Sequence, residues 1–116
     1  MLRNKSGSII NFSSIAVSLG IKGESIYAAS KAGVEGFTRS FSREMEDFNI
    51  KVNCIDPGPI NTELLQGISS AQKEKIISQQ IIPKQFSPND VSDLVEILLD
   101  SRSHSLSGQV LHVGGV

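Results

Sequence analysis

The chain has 116 residues, a length that suits one domain with one hydrophobic core. Lys and Arg number 11 against 12 Asp and Glu, giving a net charge of −1 with no run of either sign, so a nucleic-acid or anionic-membrane partner has no electrostatic basis. Apolar residues at 39 % and charged residues at 20 % fit a soluble globular protein, and one Tyr, five Phe and no Trp argue against a base-stacking surface.

The single cysteine, Cys54, excludes an internal disulfide and a cysteine-built metal framework. A reducing compartment is expected, by default the cytoplasm. The opening MLRNKSGSII has no secretory-type apolar core, and no apolar run is long enough to cross a bilayer.

Residues Ser8 to Phe12 (SIINF) read as a short buried strand, with two isoleucines and a phenylalanine between Gly7 and Ser13-Ser14. The polar stretch SSIAVSLGIKGES follows, with Gly20 and Gly23 marking a loop. Tyr27 to about Phe48 reads as a long helix. Ala28, Ala29 and Ala32 are strong helix formers, and Phe37, Phe41, Met45 and Phe48 fall on one stripe that is expected to face a core. Gly33 and Gly36 cost this helix roughly 1 kcal/mol each relative to alanine. Close approach of another backbone is the expected compensation.

Lys51 to Ile55 (KVNCI) reads as a second strand, stopped by Asp56-Pro57-Gly58-Pro59. Residues 63–82 form a mixed, partly helical segment. Ser87 as N-cap, Pro88 in the first turn and Asp90 behind it open another helix, with Val91, Leu94, Val95, Leu98 and Leu99 on its apolar face. Gln109 to Val113 (QVLHV) reads as a third strand before Gly114-Gly115. Strands alternating with amphipathic helices imply a parallel α/β sheet. The first strand is expected to have an open edge.

The spacing of Tyr27 and Lys31 in YAASK puts both on one helix face, roughly 6 Å apart along the axis. Tyrosine with its ordinary pKa near 10 is a poor acid–base catalyst at neutral pH, and a neighbouring ammonium favours the phenolate. The same pair is also common on ordinary helix surfaces. Context supports chemistry. Ser14 follows a strand end thirteen residues before Tyr27, and Pro57-Gly58-Pro59-Ile60-Asn61-Thr62 follows the next strand. Ligand sites of open parallel sheets lie beyond the carboxyl ends of the strands.

GSIINFSS, YAASKAGVEGFTRSFSRE, KVNCIDPGPINT and SGQVLHVGG together resemble successive motifs of the short-chain dehydrogenase/reductase family, in order and across almost the whole chain. The helix wording is most similar to 3-oxoacyl-[acyl-carrier-protein] reductases. The resemblance implies the C-terminal part of a Rossmann-type doubly wound parallel sheet, of about three strands with flanking helices, within a single partial domain over 1–116. It implies NAD or NADP as cofactor and a carbonyl/alcohol or acyl thioester as substrate.

By that resemblance Ser14 would hydrogen-bond the substrate oxygen, Tyr27 would exchange a proton with it, and Lys31 would support the phenolate and hold the nicotinamide ribose hydroxyls. Pro57 and Gly58 would face the nicotinamide, with the Ile60 backbone and the Thr62 side chain at its carboxamide. Ser13 competes with Ser14, which the thirteen-residue spacing favours. Residues 63–82 would be a substrate lid, with Leu64, Leu65, Ile68, Ile76 and Ile77 lining the substrate or making ordinary core contacts. The long helix over 27–48, with small residues Ala32, Gly33 and Gly36, would join subunits in a homo-oligomer or pack within one chain. His104 and His112 suggest no role, no metal site is expected, and Cys54 reads as a small buried strand residue.

The family's glycine-rich T-G-x-x-x-G-x-G turn, its N-N-A-G strand and the upstream Asn of its catalytic group have no counterpart in the sequence, so the main pyrophosphate-binding segment is missing. The ending His112-Val113-Gly114-Gly115 also lacks the residue, often Asp or Asn, that the family commonly has before Gly-Gly. A truncated or split gene product is the expectation. Two functions stand: an NAD(P)(H)-dependent oxidoreductase or its fragment, and a non-catalytic oligomerisation or interaction module.

Overall fold

The structure, a computed structural model, describes residues 1–60 and 69–116. Three parallel strands, β1 (Gly7–Phe12), β2 (Ile50–Asp56) and β3 (Val110–His112), form a sheet in the order β1-β2-β3. Helices α1 (Ile15–Leu19), α2 (Ser25–Met45), α3 (Ser70–Ser78) and α4 (Pro88–Leu99) occupy the connections. This is the parallel α/β architecture expected from the alternation of strands and helices.

β2 is the core strand because it is paired on both sides. Val52, Cys54 and Ile55 are fully buried. Gly7 to Phe12 lie opposite Ile50 to Ile55, and Cys54 to Asp56 lie opposite Val110 to His112. Bonds from Cys54 N–H to the Gln109 carbonyl (2.8 Å) and from Val113 N–H to the Asp56 carbonyl (2.9 Å) extend the second ladder past both ends of β3. The outer edge of β1 carries no strand among the described residues.

Several expectations change. The stretch after β1 is not wholly loop. Ser14 Oγ accepts the Ala16 N–H (3.2 Å), Gly20 closes the turn at φ 64°, and Ile15 and Ala16 bury between them. These are an N-cap and a left-handed glycine C-cap acting over five residues. The long helix runs from Ser25 to Met45, and a 3-10 turn over Glu46–Phe48 follows it.

The buried face of α2 is polar. Glu35, Thr38 and Ser42 face inward, while Phe37 is 54 % exposed and stacks on Phe41 at 4.8 Å. The inward polar groups are satisfied: Asn11 Nδ2 donates to Thr38 Oγ1 (3.1 Å), Thr38 donates to the Val34 carbonyl (2.9 Å), and Ser42 to the Arg39 carbonyl (2.8 Å). A buried polar group costs little once its bonds are made. Gly33 and Gly36 face open space, and among the described residues no backbone approaches them.

α4 follows its punctuation. The Ser87 N–H donates to Asp90 Oδ2 (2.8 Å), and Pro88 sits where no intrahelical donor is needed. Its apolar face is narrower than the periodicity suggests: Leu98 is 1 % exposed, whereas Leu99, expected on the same face, is 59 % exposed. No helix among the described residues is long and apolar enough to cross a membrane.

These neighbours give a test of the core. Leu98→Ala should destabilise the chain by about 2–5 kcal/mol, with cavity and transfer costs added. Leu99→Ala should cost at most about 0.5 kcal/mol. Urea unfolding followed by circular dichroism measures both, and equal midpoints for the two variants would contradict this packing.

Candidate active site

The parallel register brings the carboxyl ends of β1 and β2 side by side. Phe12 lies opposite Ile55, and the Ser13 N–H donates to the Ile55 carbonyl at 2.8 Å. Ser13-Ser14 therefore leave the sheet next to Asp56-Pro57. The N-terminal half of α2 returns to the same rim. Lys31 Nζ donates to the Phe12 carbonyl at 3.2 Å and stands 5.9 Å from the centroid of the Tyr27 ring. The four-residue spacing puts phenol and ammonium on one helix face, and the lysine ties that face to the end of β1.

The two serines have different surroundings. Ser13 is 3 % exposed and its hydroxyl donates to Glu35 Oε2. Ser14 is half-buried, and its hydroxyl caps α1. Ser13 thus serves a buried carboxylate, while Ser14 stands where the chain leaves the sheet and is the more accessible hydroxyl. Glu35 has a second partner in the Arg39 guanidinium, 3.7 Å from Oε1. A carboxylate buried without such partners would cost several kcal/mol or more.

Pro57, Gly58 and Ile60 follow β2 directly. Gly58 has φ 69°, its N–H donates to Asp56 Oδ1 (2.9 Å), and Ile60 N–H returns to the Gly58 carbonyl (2.9 Å). The other Asp56 oxygen lies 2.7 Å from His112 Nδ1. Reading His112 as having no role is therefore corrected: it pairs with a fully buried aspartate at the rim. Asp56, read only as part of a strand terminator, holds both the turn and the histidine. Glu35 was not singled out in the sequence at all. The signal for Asp56 and His112 is the strand register, which places them opposite each other but cannot be read from either segment alone.

Thr62, Leu64, Leu65 and Ile68 lie outside the described residues. Of the expected lid, Ile76 is buried and Ile77 half-buried on α3. A cleft of about 250 Å³ between α1 and α3 is lined by Leu19, Gly20, Ile21, Lys22, Gln72, Lys75, Ile76 and Gln79. The larger cleft, about 520 Å³, lies at the other end of β2 beside Lys51, Arg39 and Arg43, away from the rim.

Burial pushes the Cys54 thiol above its ordinary pKa, and the Glu35 carboxylate adds to the rise, against opposing effects of a Thr38 hydrogen bond and Lys31. Cys54 is fully buried in β2, so it is a packing residue rather than a nucleophile.

A parallel sheet with polar side chains gathered beyond the carboxyl ends of its strands is the plan of the dinucleotide-dependent α/β proteins. The sequence model of the family described as "Enoyl-(Acyl carrier protein) reductase" matches residues 1–115, and the chain belongs to the short-chain dehydrogenase/reductase family. It is 36 % identical over 115 residues to the 3-oxoacyl-[acyl-carrier-protein] reductase FabG of Chlamydia muridarum, covering 99 % of this chain and 46 % of that protein. Nodulation protein G of Rhizobium meliloti is also 36 % identical over 115 residues, with 99 % and 47 % covered.

Among solved structures, a short-chain type dehydrogenase/reductase from Mycobacterium ulcerans superposes with a TM-score of 0.88 at 30 % identity, over 99 % of this chain and 43 % of that one. A 3-oxoacyl-[acyl-carrier protein] reductase from Brucella melitensis gives 0.86 at 28 % identity, over 100 % and 44 %. The chain spans about half the length of the curated relatives it matches.

The environment of Cys54 is testable. In native buffer a disulfide reagent should label it at least about a hundredfold more slowly than in denaturant, since labelling must wait for opening of the sheet. Rapid stoichiometric labelling of the native protein would show that β2 is not the buried strand.

Proposed function

We propose that this chain carries the catalytic half of an NAD(P)(H)-dependent oxidoreductase that interconverts a carbonyl and a secondary alcohol. The observation that supports it most is the position of Lys31, whose ammonium meets both the Tyr27 ring and the Phe12 carbonyl two residues before Ser14. In this reading Ser14 donates a hydrogen bond to the substrate oxygen, Tyr27 delivers or removes its proton, and Lys31 favours the phenolate and holds the ribose hydroxyls. Pro57, Gly58, the Ile60 backbone and Thr62 form the nicotinamide side of the pocket. Residues 1–116 act as one partial domain with 63–82 as the lid, working in the cytoplasm.

Pro57, Gly58 and Ile60 are the described residues that would hold the nicotinamide end, and Gly58 lets that turn pack against the exit of β3, where a Cβ would lie 3.0 Å from the Val113 carbonyl and from Gln80 Oε1. When bound, NAD(P)H supplies the hydride, and the protein's own part is to orient the carbonyl and move the proton. The names of the Chlamydia muridarum and Brucella melitensis relatives suggest a 3-oxoacyl thioester as substrate.

A second reading, an oligomerising module without turnover, has its own support in α2. Phe37 is exposed and stacked on Phe41, and Gly33 and Gly36 leave that helix surface uncovered, as a homo-oligomer contact through α2 would require.

Titration of the purified 116-residue protein with NADPH and NADH, followed by nicotinamide fluorescence, separates the two. Weak binding is expected, because no glycine-rich turn for the pyrophosphate occurs in this sequence. Absence of any saturable signal rejects a self-sufficient dehydrogenase. In a form that contains a dinucleotide-binding half, Tyr27→Phe should lower kcat by about 10²–10⁴-fold, the range for loss of a general acid, with little change in cofactor Kd. Undiminished turnover would remove Tyr27 from the mechanism.

A further inference from the structure

We propose that Asp56 is a positioning residue for the Pro57-Gly58 turn and that His112 orients its carboxylate. The proposal rests on the reading that this turn faces the nicotinamide. Asp56 is 1 % exposed, and its two oxygens have separate tasks. Oδ1 accepts the Gly58 N–H at 2.9 Å, and Oδ2 meets His112 Nδ1 at 2.7 Å, joining residues 56 positions apart. With the carboxylate as acceptor, Nδ1 is the donor in this pair.

Two features make such a clamp necessary. Gly58 adopts φ 69°, one of many conformations open to glycine, so its own backbone does little to select it. The turn also runs close past the exit of β3, where a Cβ at Gly58 would lie 3.0 Å from the Val113 carbonyl and from Gln80 Oε1, so a misplaced turn would collide with it. The Val113 N–H donates to the Asp56 carbonyl at 2.9 Å, so the exit of β3 is bonded to Asp56 through both backbone and side chain. The last strand thereby sets the shape of a turn more than fifty residues earlier in the chain. Asp56 and His112 act through the Gly58 backbone, not through contact with reacting atoms.

The test is amide hydrogen exchange at Gly58, followed by NMR on the 116-residue chain. Asp56→Ala should speed exchange at least about tenfold, the weight of one hydrogen bond to a charged group. Asp56→Asn, which keeps the Oδ1 acceptor, should stay within about threefold of the wild type. His112→Phe should speed exchange by about threefold and carries the test if Asp56→Ala does not fold. The ¹⁵N spectrum of the wild type should show the proton on His112 Nδ1, and Asp56→Ala should lose that preference. Wild-type exchange in both Asp56→Ala and His112→Phe overturns the proposal.

Titration with nicotinamide mononucleotide tests the underlying cofactor reading separately. A Gly58 resonance that never shifts with the nucleotide, together with the expected exchange pattern, sinks the cofactor reading and leaves the clamp standing. A shift of equal affinity in wild type and Asp56→Ala, with unaltered exchange, does the reverse.

Discussion

Parallel pairing of both outer strands to β2 is the constraint on which the rest of this structure depends. Strands that run the same way end at the same side, so Ser13-Ser14, Pro57-Gly58 and Val113-Gly114 leave the sheet at one rim. α2 then needs only to begin near that rim for Tyr27 and Lys31 to reach it. The bond from Lys31 to the Phe12 carbonyl marks that approach. A register shift of one residue in β2 would separate Asp56 from His112 and turn Cys54 toward the other face.

Beneath the rim the contact between sheet and helix is unusually polar. Glu35 receives the Ser13 hydroxyl and Thr38 receives Asn11 across that contact, while within the sheet Asp56 receives His112 and the Gly58 N–H. Each bond adds little net stability, yet leaving any one of these buried groups unpaired would cost roughly 1–3 kcal/mol or more. The effect is geometric. Directional bonds fix the rotation of α2 about its axis, which a purely apolar contact would leave looser, and that rotation determines where Tyr27 and Lys31 point.

Much of this was legible in the sequence, for identifiable reasons. The strands announce themselves as short β-branched runs ended by serine, proline or glycine. α4 carries its capping box in plain view at Ser87 and Asp90. The family was readable because four motifs occur in order. Other features were hidden. α1 is too short to show periodicity. On α2 the phenylalanines suggested the inward face, whereas hydrogen bonding turned Glu35, Thr38 and Ser42 inward. Tyr27 and Lys31 share a helix, so spacing alone placed them together. Asp56 and His112 are on different strands and meet only through a register that no local pattern encodes.

The unpartnered side of β1 has a practical meaning. SIINF is rich in isoleucine and aromatic content, and its outward N–H and C=O groups among the described residues have no strand to bond. Such an edge is a template for adding strands from neighbouring molecules. Arg3 and Lys5 stand just before it and offer some charge repulsion. Left bare at high concentration, the molecule would tend to stack into insoluble material, so its yield in recombinant cells should depend on how soon that flank finds a cover.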